Sequence, residues 1–181
     1  MKIYTRTGDD GYTFCMAKKG RVKKYSNVMM FMGALDESNS YLGFSRSICS
    51  SEVNIGDLKD ILEFLEYAQK LLFNIGFEIS GSQRFKGDED AVLEAYIDKF
   101  MEGINLKGFI IPYGTPCVSS IHVARSIVRR AEREFFRALD TDLTERREEL
   151  LFLGKLLNRL SDALFAAALR AAIKTTGIEY V

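Results

Sequence analysis

Thr115-Pro116-Cys117-Val118-Ser119-Ser120-Ile121-His122-Val123-Ala124-Arg125-Ser126-Ile127-Val128-Arg129-Arg130-Ala131-Glu132-Arg133-Glu134-Phe135-Phe136-Arg137-Ala138-Leu139 sets Val118, Ile121, Ala124, Val128, Ala131, Phe135 and Leu139 at steps of three and four. That spacing gathers apolar side chains on one face of an α-helix and leaves the opposite face charged. Thr115 before Pro116 marks its start: the hydroxyl caps the first turn, and proline at the first helical position lacks an N–H that would have no partner there.

The same period recurs on both sides. Beyond the break at Asp140-Thr141-Asp142, Thr144 is predicted to cap a last helix carrying Leu150, Leu153, Leu157, Leu160, Leu164, Ala167 and Ala168 and ending near Lys174. Upstream, Leu58, Ile61, Leu62, Leu65, Ala68, Leu72 and Ile75 form one stripe of a helix over 57–80, with Asp57 as its N-cap. A shorter helix is predicted from Ala91 to Ile104, and another from Asn27 to about Cys49 through Val28, Phe31, Leu35 and Leu42. Residues 1–26 show neither period and read as an ordered or ligand-ordered loop. Five helices without a convincing strand predict an all-α fold, a five-helix bundle with ferritin-like up-down packing, as one domain over 1–181: a loop at 1–26 and helices over 27–181.

With 181 residues, 47% of them hydrophobic, the chain is long enough to bury a sizeable core. Lys+Arg and Asp+Glu both total 25, so no overall charge draws it to nucleic acid or an anionic membrane, and any anion site must be local. No apolar run approaches the ~18 residues of a spanning helix, and the N-terminus lacks a signal region. Cys15, Cys49 and Cys117 are widely spaced and odd in number; the expectation is neither a disulfide framework nor a zinc site, and a cytoplasmic home.

Arg125, Arg129 and Glu132 fall at i, i+4 and i+7 on a sector bordering the apolar stripe. The sector is either a solvated face of ion pairs or a rim that binds phosphate or partner carboxylates through the planar guanidinium fork. Thr5-Arg6-Thr7-Gly8-Asp9-Asp10-Gly11 has the small residues and hydroxyls to wrap a polyphosphate, with Lys18, Lys19, Lys23 and Lys24 following, although it lacks the order of a Walker loop. Asp36 and Glu37 read as a solvated helix edge. Asn158 and Asp162 lie among apolar neighbours, as buried bonding groups or ligand contacts. His122, the single histidine, argues against a multi-histidine metal site and reads as structural.

Several segments together resemble the PduO-type family of ATP:cob(I)alamin adenosyltransferases: Lys2 through Gly11, Leu35-Asp36-Glu37-Ser38-Asn39-Ser40 with Leu42-Gly43, Leu72-Phe73-Asn74-Ile75-Gly76, Phe109-Ile110-Ile111-Pro112, His122 through Arg133, and Leu157-Asn158-Arg159-Leu160-Ser161-Asp162. They occur in family order across nearly the whole chain. The resemblance implies a homotrimeric helical bundle that moves the 5′-deoxyadenosyl group of ATP to the Co(I) of a reduced corrinoid, releasing triphosphate. It implies that Thr5, Arg6, Thr7, Gly8, Lys24, Arg129, Arg130, Glu132, Arg133 and Asn158 hold ATP with Mg²⁺ on its phosphates, and that no side-chain cluster holds the metal. Asp36 would pair with Arg125 across the subunit interface, so that Arg125, Arg129, Glu132 and Asp36 carry the reaction. Phe109 would meet the corrin ring and displace the lower ligand of cobalt. A corrinoid reductase and an adenosylcobalamin-dependent enzyme are the implied protein partners.

Three positions depart from the family pattern. Tyr25 through Met30 replace an acidic, proline-containing segment, Tyr113 replaces a glycine after Pro112, and Ser38 replaces a leucine. The contrasting readings are a helical interaction module whose arginine rim binds an acidic protein, and a carrier or sensor of adenosylcobalamin.

Overall fold

Val28, Leu35, Leu42 and Cys49 recur every seven residues and are all buried along the first helix, α1 (Asn27–Ser51). The computed structural model describes residues 2–4, 6–52 and 58–181. Within them α1 is followed by α2 (Lys59–Ile79), α3 (Glu89–Met101), α4 (Pro116–Thr141) and α5 (Arg147–Thr175). The α4 face predicted from spacing is fully enclosed at every position from Val118 to Leu139, and the Thr115 hydroxyl accepts from the Val118 N–H at 3.4 Å. Each large apolar side chain so enclosed contributes about 2 kcal/mol through the hydrophobic effect.

α4 lies between α1 and α5, α2 packs on α1, and α3 packs on α5. Phe31 of α1 meets Phe135 of α4 edge to face at 5.2 Å. The second half of α5 is buried on nearly all sides, and the small residues Ala163, Ala166, Ala167, Ala168, Ala171 and Ala172 let its neighbours come close. The tightest approach is Gly154, where a Cβ would stand 2.5 Å from Cζ of Phe136. Polar bridges cross between α1 and α2: Asn39 Nδ2 donates to the Gln69 carbonyl at 3.0 Å, Gln69 Nε2 returns to Asn39 Oδ1 at 3.1 Å, and Arg46 forms an ion pair with Glu66.

The structure corrects the sequence reading in several places. The stretch 1–26 is not strand-free: β1 (Tyr12–Cys15) pairs antiparallel with β2 (Gly20–Lys23), Tyr12 opposite Lys23 and Cys15 opposite Gly20. Lys19 takes a left-handed φ of 49° to close the turn. Thr144 does not cap α5; it opens a short 3₁₀ turn, Thr144–Arg146, and α5 starts at Arg147 with no side-chain cap. α3 begins and ends two to three residues earlier than its apolar pattern implied. The proposed cap Asp57 lies outside the described residues.

The cysteine reading is also overturned: Cys49, near the end of α1, and Cys117, in the first turn of α4, form a disulfide across 68 residues of sequence with Cα atoms 4.6 Å apart. Cys15 stays a buried free thiol. By the chain-entropy model a closed loop of this length is worth about 4 kcal/mol, which for a chain of this size corresponds to roughly 8–16 °C in Tm. Scanning calorimetry with and without a phosphine reductant should show a drop of that order in the wild type and none in Cys49→Ala. An unchanged wild-type Tm would mean that the two thiols are not bonded.

Candidate functional site

The N-terminal loop is organised from β2. Arg21 Nη2 donates to the Thr7 carbonyl at 3.0 Å and to both carboxylate oxygens of Asp10 at 2.7 and 2.8 Å. That bond, with the Tyr12 N–H, holds the Asp10 carboxyl below its ordinary range. Gly11 turns the chain with a φ of 83°, and its carbonyl accepts from the Lys24 N–H at 3.0 Å. The Lys24 side chain then lies along Gly8 so closely that a Cβ there would sit 3.1 Å from Nζ. The structure therefore brings Gly8 and Lys24 together beside the exposed Arg6 and Thr7. Lys18 is committed elsewhere, donating to the Asp142 carbonyl at the end of α4. Thr5 lies outside the described residues.

The α4 rim is present with its residues in different states. Arg129 and Arg133 are exposed, and Arg133 Nη1 donates to the Arg129 carbonyl at 3.0 Å. Arg130 forms an ion pair with Glu37 of α1. Glu132 Oε1 accepts from Asn158 Nδ2 at 3.1 Å, while Asn158 Oδ1 accepts from Arg159, which also bonds Glu94 of α3. Asn158 is thus a bonding group between α4 and α5, and Asp162 is exposed. Arg125 is half-buried with its guanidinium 5.8 Å over the Phe165 ring, and its Nε is sealed from solvent without a hydrogen-bond partner among the described residues. Burial, followed by the charge of Arg129, lowers its pKa.

Arg125 forms one wall of a cavity of about 340 Å³ whose other walls include Phe109, Ile110, Pro112, His122 and Phe165. Phe109 is 89% exposed, yet its backbone is held. Its carbonyl accepts from the Val181 N–H at 3.0 Å, Ile111 N–H donates to the Glu179 carbonyl at 2.9 Å, and Ile110 bridges to Tyr180. Gly177, with a φ of 83°, makes the reversal after α5 that brings this tail back. The arrangement is an anchored strand presenting a free aromatic ring. Nothing in the sequence pattern signals the pairing, because a bridge of three residues has no period.

His122 is 4% exposed, and burial followed by the Arg125 charge pushes its pKa down to about 4. The unfolded chain therefore takes up a proton near pH 6.5 that the folded chain refuses until about pH 4. This depressed base stabilises the fold fully above pH 6.5, and that contribution falls away as pH drops, by about 3 kcal/mol at pH 4. Denaturant titrations at pH 7 and pH 5 should show a smaller loss for His122→Asn than for the wild type; equal losses would contradict the assignment.

A second groove, of about 210 Å³, runs between α1 and α2 past Met32, Leu35, Asp36, Phe73 and Phe77. Asp36 is exposed and has no cation partner among the described residues; the fold does not bring it to Arg125 within one chain. Phe73 and Phe77 are 61% and 44% exposed beside it. Among the described residues no group of three or more His, Cys, Asp or Glu is placed to hold a metal ion, and no helix is long and apolar enough to cross a membrane.

Comparison with known proteins bears on what this geometry is for. The chain is 37% identical over 174 residues to the corrinoid adenosyltransferase of Bacillus subtilis, spanning 93% of this chain and 85% of that one. It is 36% identical over 176 residues to the corrinoid adenosyltransferase of Citrobacter freundii, spanning 92% and 93%. Its fold is similar to that of a variant PduO-type ATP:corrinoid adenosyltransferase from Lactobacillus reuteri solved with cobalamin and ATP, with a TM-score of 0.82 and 31% identity over 99% of this chain and 96% of that one. The sequence profile described as cobalamin adenosyltransferase matches residues 3–171. By that match, and by relatives covering more than nine-tenths of its length, this chain belongs to the cobalamin adenosyltransferase family.

Proposed function

We propose that this protein transfers the 5′-deoxyadenosyl group of ATP to the Co(I) of a reduced corrinoid, giving adenosylcobalamin and triphosphate. The observation that carries the proposal is the cavity that the anchored Phe109 segment and the Arg125 end of the α4 rim line together. One side of that junction is apolar and suits a large ring system; the other is cationic and suits phosphate.

The chemistry needs no nucleophile from the protein, because the reduced metal of the substrate attacks the 5′ carbon and triphosphate leaves. The chain holds carbon and cobalt in line and neutralises charge on the departing oxygens. Arg6, Thr7, Gly8 and Lys24 would receive the phosphates, since the Lys24 ammonium lies against the backbone at Gly8 beside the exposed Arg6 and Thr7. Thr5 belongs to the same run. Arg129 and Arg133 offer exposed guanidiniums, and Arg130 would join them by exchanging Glu37 for phosphate. Mg²⁺ would ride on the triphosphate. The ion would keep water and phosphate oxygens as its main ligands, with Glu132 an acidic group of the rim on the same α4 sector as Arg125 and Arg129. Phe109 would cover the lower face of the corrin and keep a ligand off cobalt, making the metal easier to reduce.

We also propose a homotrimer in which Asp36 of one subunit reaches Arg125 of the next. Two charged groups without an ion-pair partner among the described residues, one beside exposed phenylalanines and one half-buried, support it. A cytoplasmic location, a corrinoid reductase that supplies Co(I), and an adenosylcobalamin-dependent enzyme that takes the product complete the proposal; nucleic acid and membrane have no part in it. Calorimetric titration with MgATP, followed by anaerobic addition of cob(I)alamin, separates the readings. Saturable ATP binding and a corrin spectrum changing to that of adenosylcobalamin is the expected result. Binding without turnover would leave a carrier or sensor, and no ATP binding an interaction module.

A further inference from the structure

His122 is the one titratable group in the cavity that the reaction leaves without a task. It is 4% exposed, stands one turn before Arg125 on α4, and contacts Phe165 edge to face with ring centroids 6.2 Å apart. Its Nδ1 is sealed from solvent and has no hydrogen-bond partner among the described residues. A buried polar atom left so is costly, and such atoms in native proteins nearly always find a partner. The Phe165 contact fixes the ring plane but supplies no acceptor or donor to nitrogen. No described residue supplies that partner, and His122 lines the cavity, so what fills the cavity is placed to supply it.

The chemistry of that partner is restricted. The neutral imidazole, kept so by burial and by Arg125, carries one N–H donor and one bare nitrogen acceptor. A carboxylate would satisfy only the donor and has the Arg125 cation beside it to prefer. A primary carboxamide carries both functions and no charge, which suits a cavity otherwise walled by Phe109, Ile110, Pro112 and Phe165. Corrinoids present carboxamides around the ring. We propose that His122 is a binding residue for the corrinoid, hydrogen-bonding a peripheral carboxamide and fixing the rotation of the ring over Phe109. The proposal rests on the reading of this cavity as the corrinoid pocket. The role is hydrogen bonding, not coordination: an imidazole on cobalt would defeat the exclusion of a lower ligand.

The test compares His122→Phe, which keeps an aromatic ring against Phe165 but removes both nitrogens, with His122→Asn, whose amide reaches the position of Nδ1. A hydrogen bond of ordinary strength corresponds to roughly a 3–10-fold change. In anaerobic assays His122→Phe should raise the corrinoid KM by that factor with the ATP KM within twofold, and His122→Asn should recover most of the loss. If His122→Phe does not fold, His122→Leu takes its place. An unchanged corrinoid KM, or a rise in both KM values without recovery in His122→Asn, would overturn the proposal. Paramagnetic resonance of bound Co(II) cobinamide, which has no nitrogenous lower base, should show no nitrogen splitting on the cobalt lines; splitting lost in His122→Phe would replace hydrogen bonding by coordination. A wild-type protein that neither binds nor adenosylates a corrinoid would instead remove the parent reading.

Discussion

Arg129→Ala is expected to lower kcat/KM by about 10²–10³-fold, the loss seen when one donor aimed at developing charge is removed from a site. The reason lies in what Arg129 does not do. Its side chain is exposed and has no acceptor among the described residues; only its carbonyl is used, by Arg133. Its charge opposes that of the half-buried Arg125, whose pKa burial and then Arg129 lower. A cation kept at that position contributes little to the fold, so the variant should melt within about 2 °C of the wild type. Arg129→Lys keeps the charge but loses the two-pronged donor, and should fall between the two. A variant with wild-type turnover would remove Arg129 from the site, and one that unfolds would make its role structural.

Asp36→Asn should weaken assembly, activity, or both by about 10²–10³-fold. Arg125 is half-buried with a sealed Nε, and taking the carboxylate from a buried pair costs about 3–5 kcal/mol because the remaining charge stays uncompensated. The exposed Phe73 and Phe77 beside Asp36 would give the proposed contact its apolar part, so the subunits would still have a reason to meet. Sedimentation over a dilution series, with kinetics on the same samples, reads both effects. Combining Asp36→Arg with Arg125→Asp should restore part of the assembly, since the pair is reversed and not removed. An intact trimer with unaltered kinetics in Asp36→Asn would contradict the pairing.

The helices were legible because each buries a stripe with the period of the α-helix: Val118 to Leu139 end up enclosed as their spacing required, as do Ile61, Leu65, Ala68, Leu72 and Ile75, with Leu62 partly buried at the edge. What escaped the sequence has no period. Strands of four residues, Tyr12–Cys15 and Gly20–Lys23, are too short for alternation to stand out among lysines and glycines. Cys49 and Cys117 are joined only by the packing of α1 on α4, and the same packing brings Glu37 to Arg130. Thr144 had the composition of a cap, but the chain enters α5 through a tighter turn in which Arg146 bonds the Glu78 and Ile79 carbonyls at the end of α2.

The candidate site divides in the same way. Arg125, Arg129 and Glu132 on one sector follow from helical geometry alone, whereas the meeting of Lys24 with Gly8 needed the hairpin. Phe109 was named through family resemblance. That its backbone is clipped by residues 179–181 is a tertiary fact, and the unpartnered Nδ1 of His122 becomes visible only once its neighbours are known not to bond it.

The most direct measurement is a single anaerobic turnover with cob(I)alamin, ATP and Mg²⁺ in which both products are counted. One adenosylcobalamin and one intact triphosphate per corrinoid consumed are expected, with formation slowed by about 10²–10³-fold in Arg129→Ala. Diphosphate or monophosphate in place of triphosphate, or ATP consumed without a cobalt–carbon bond, would contradict adenosyl transfer as the reaction of this site.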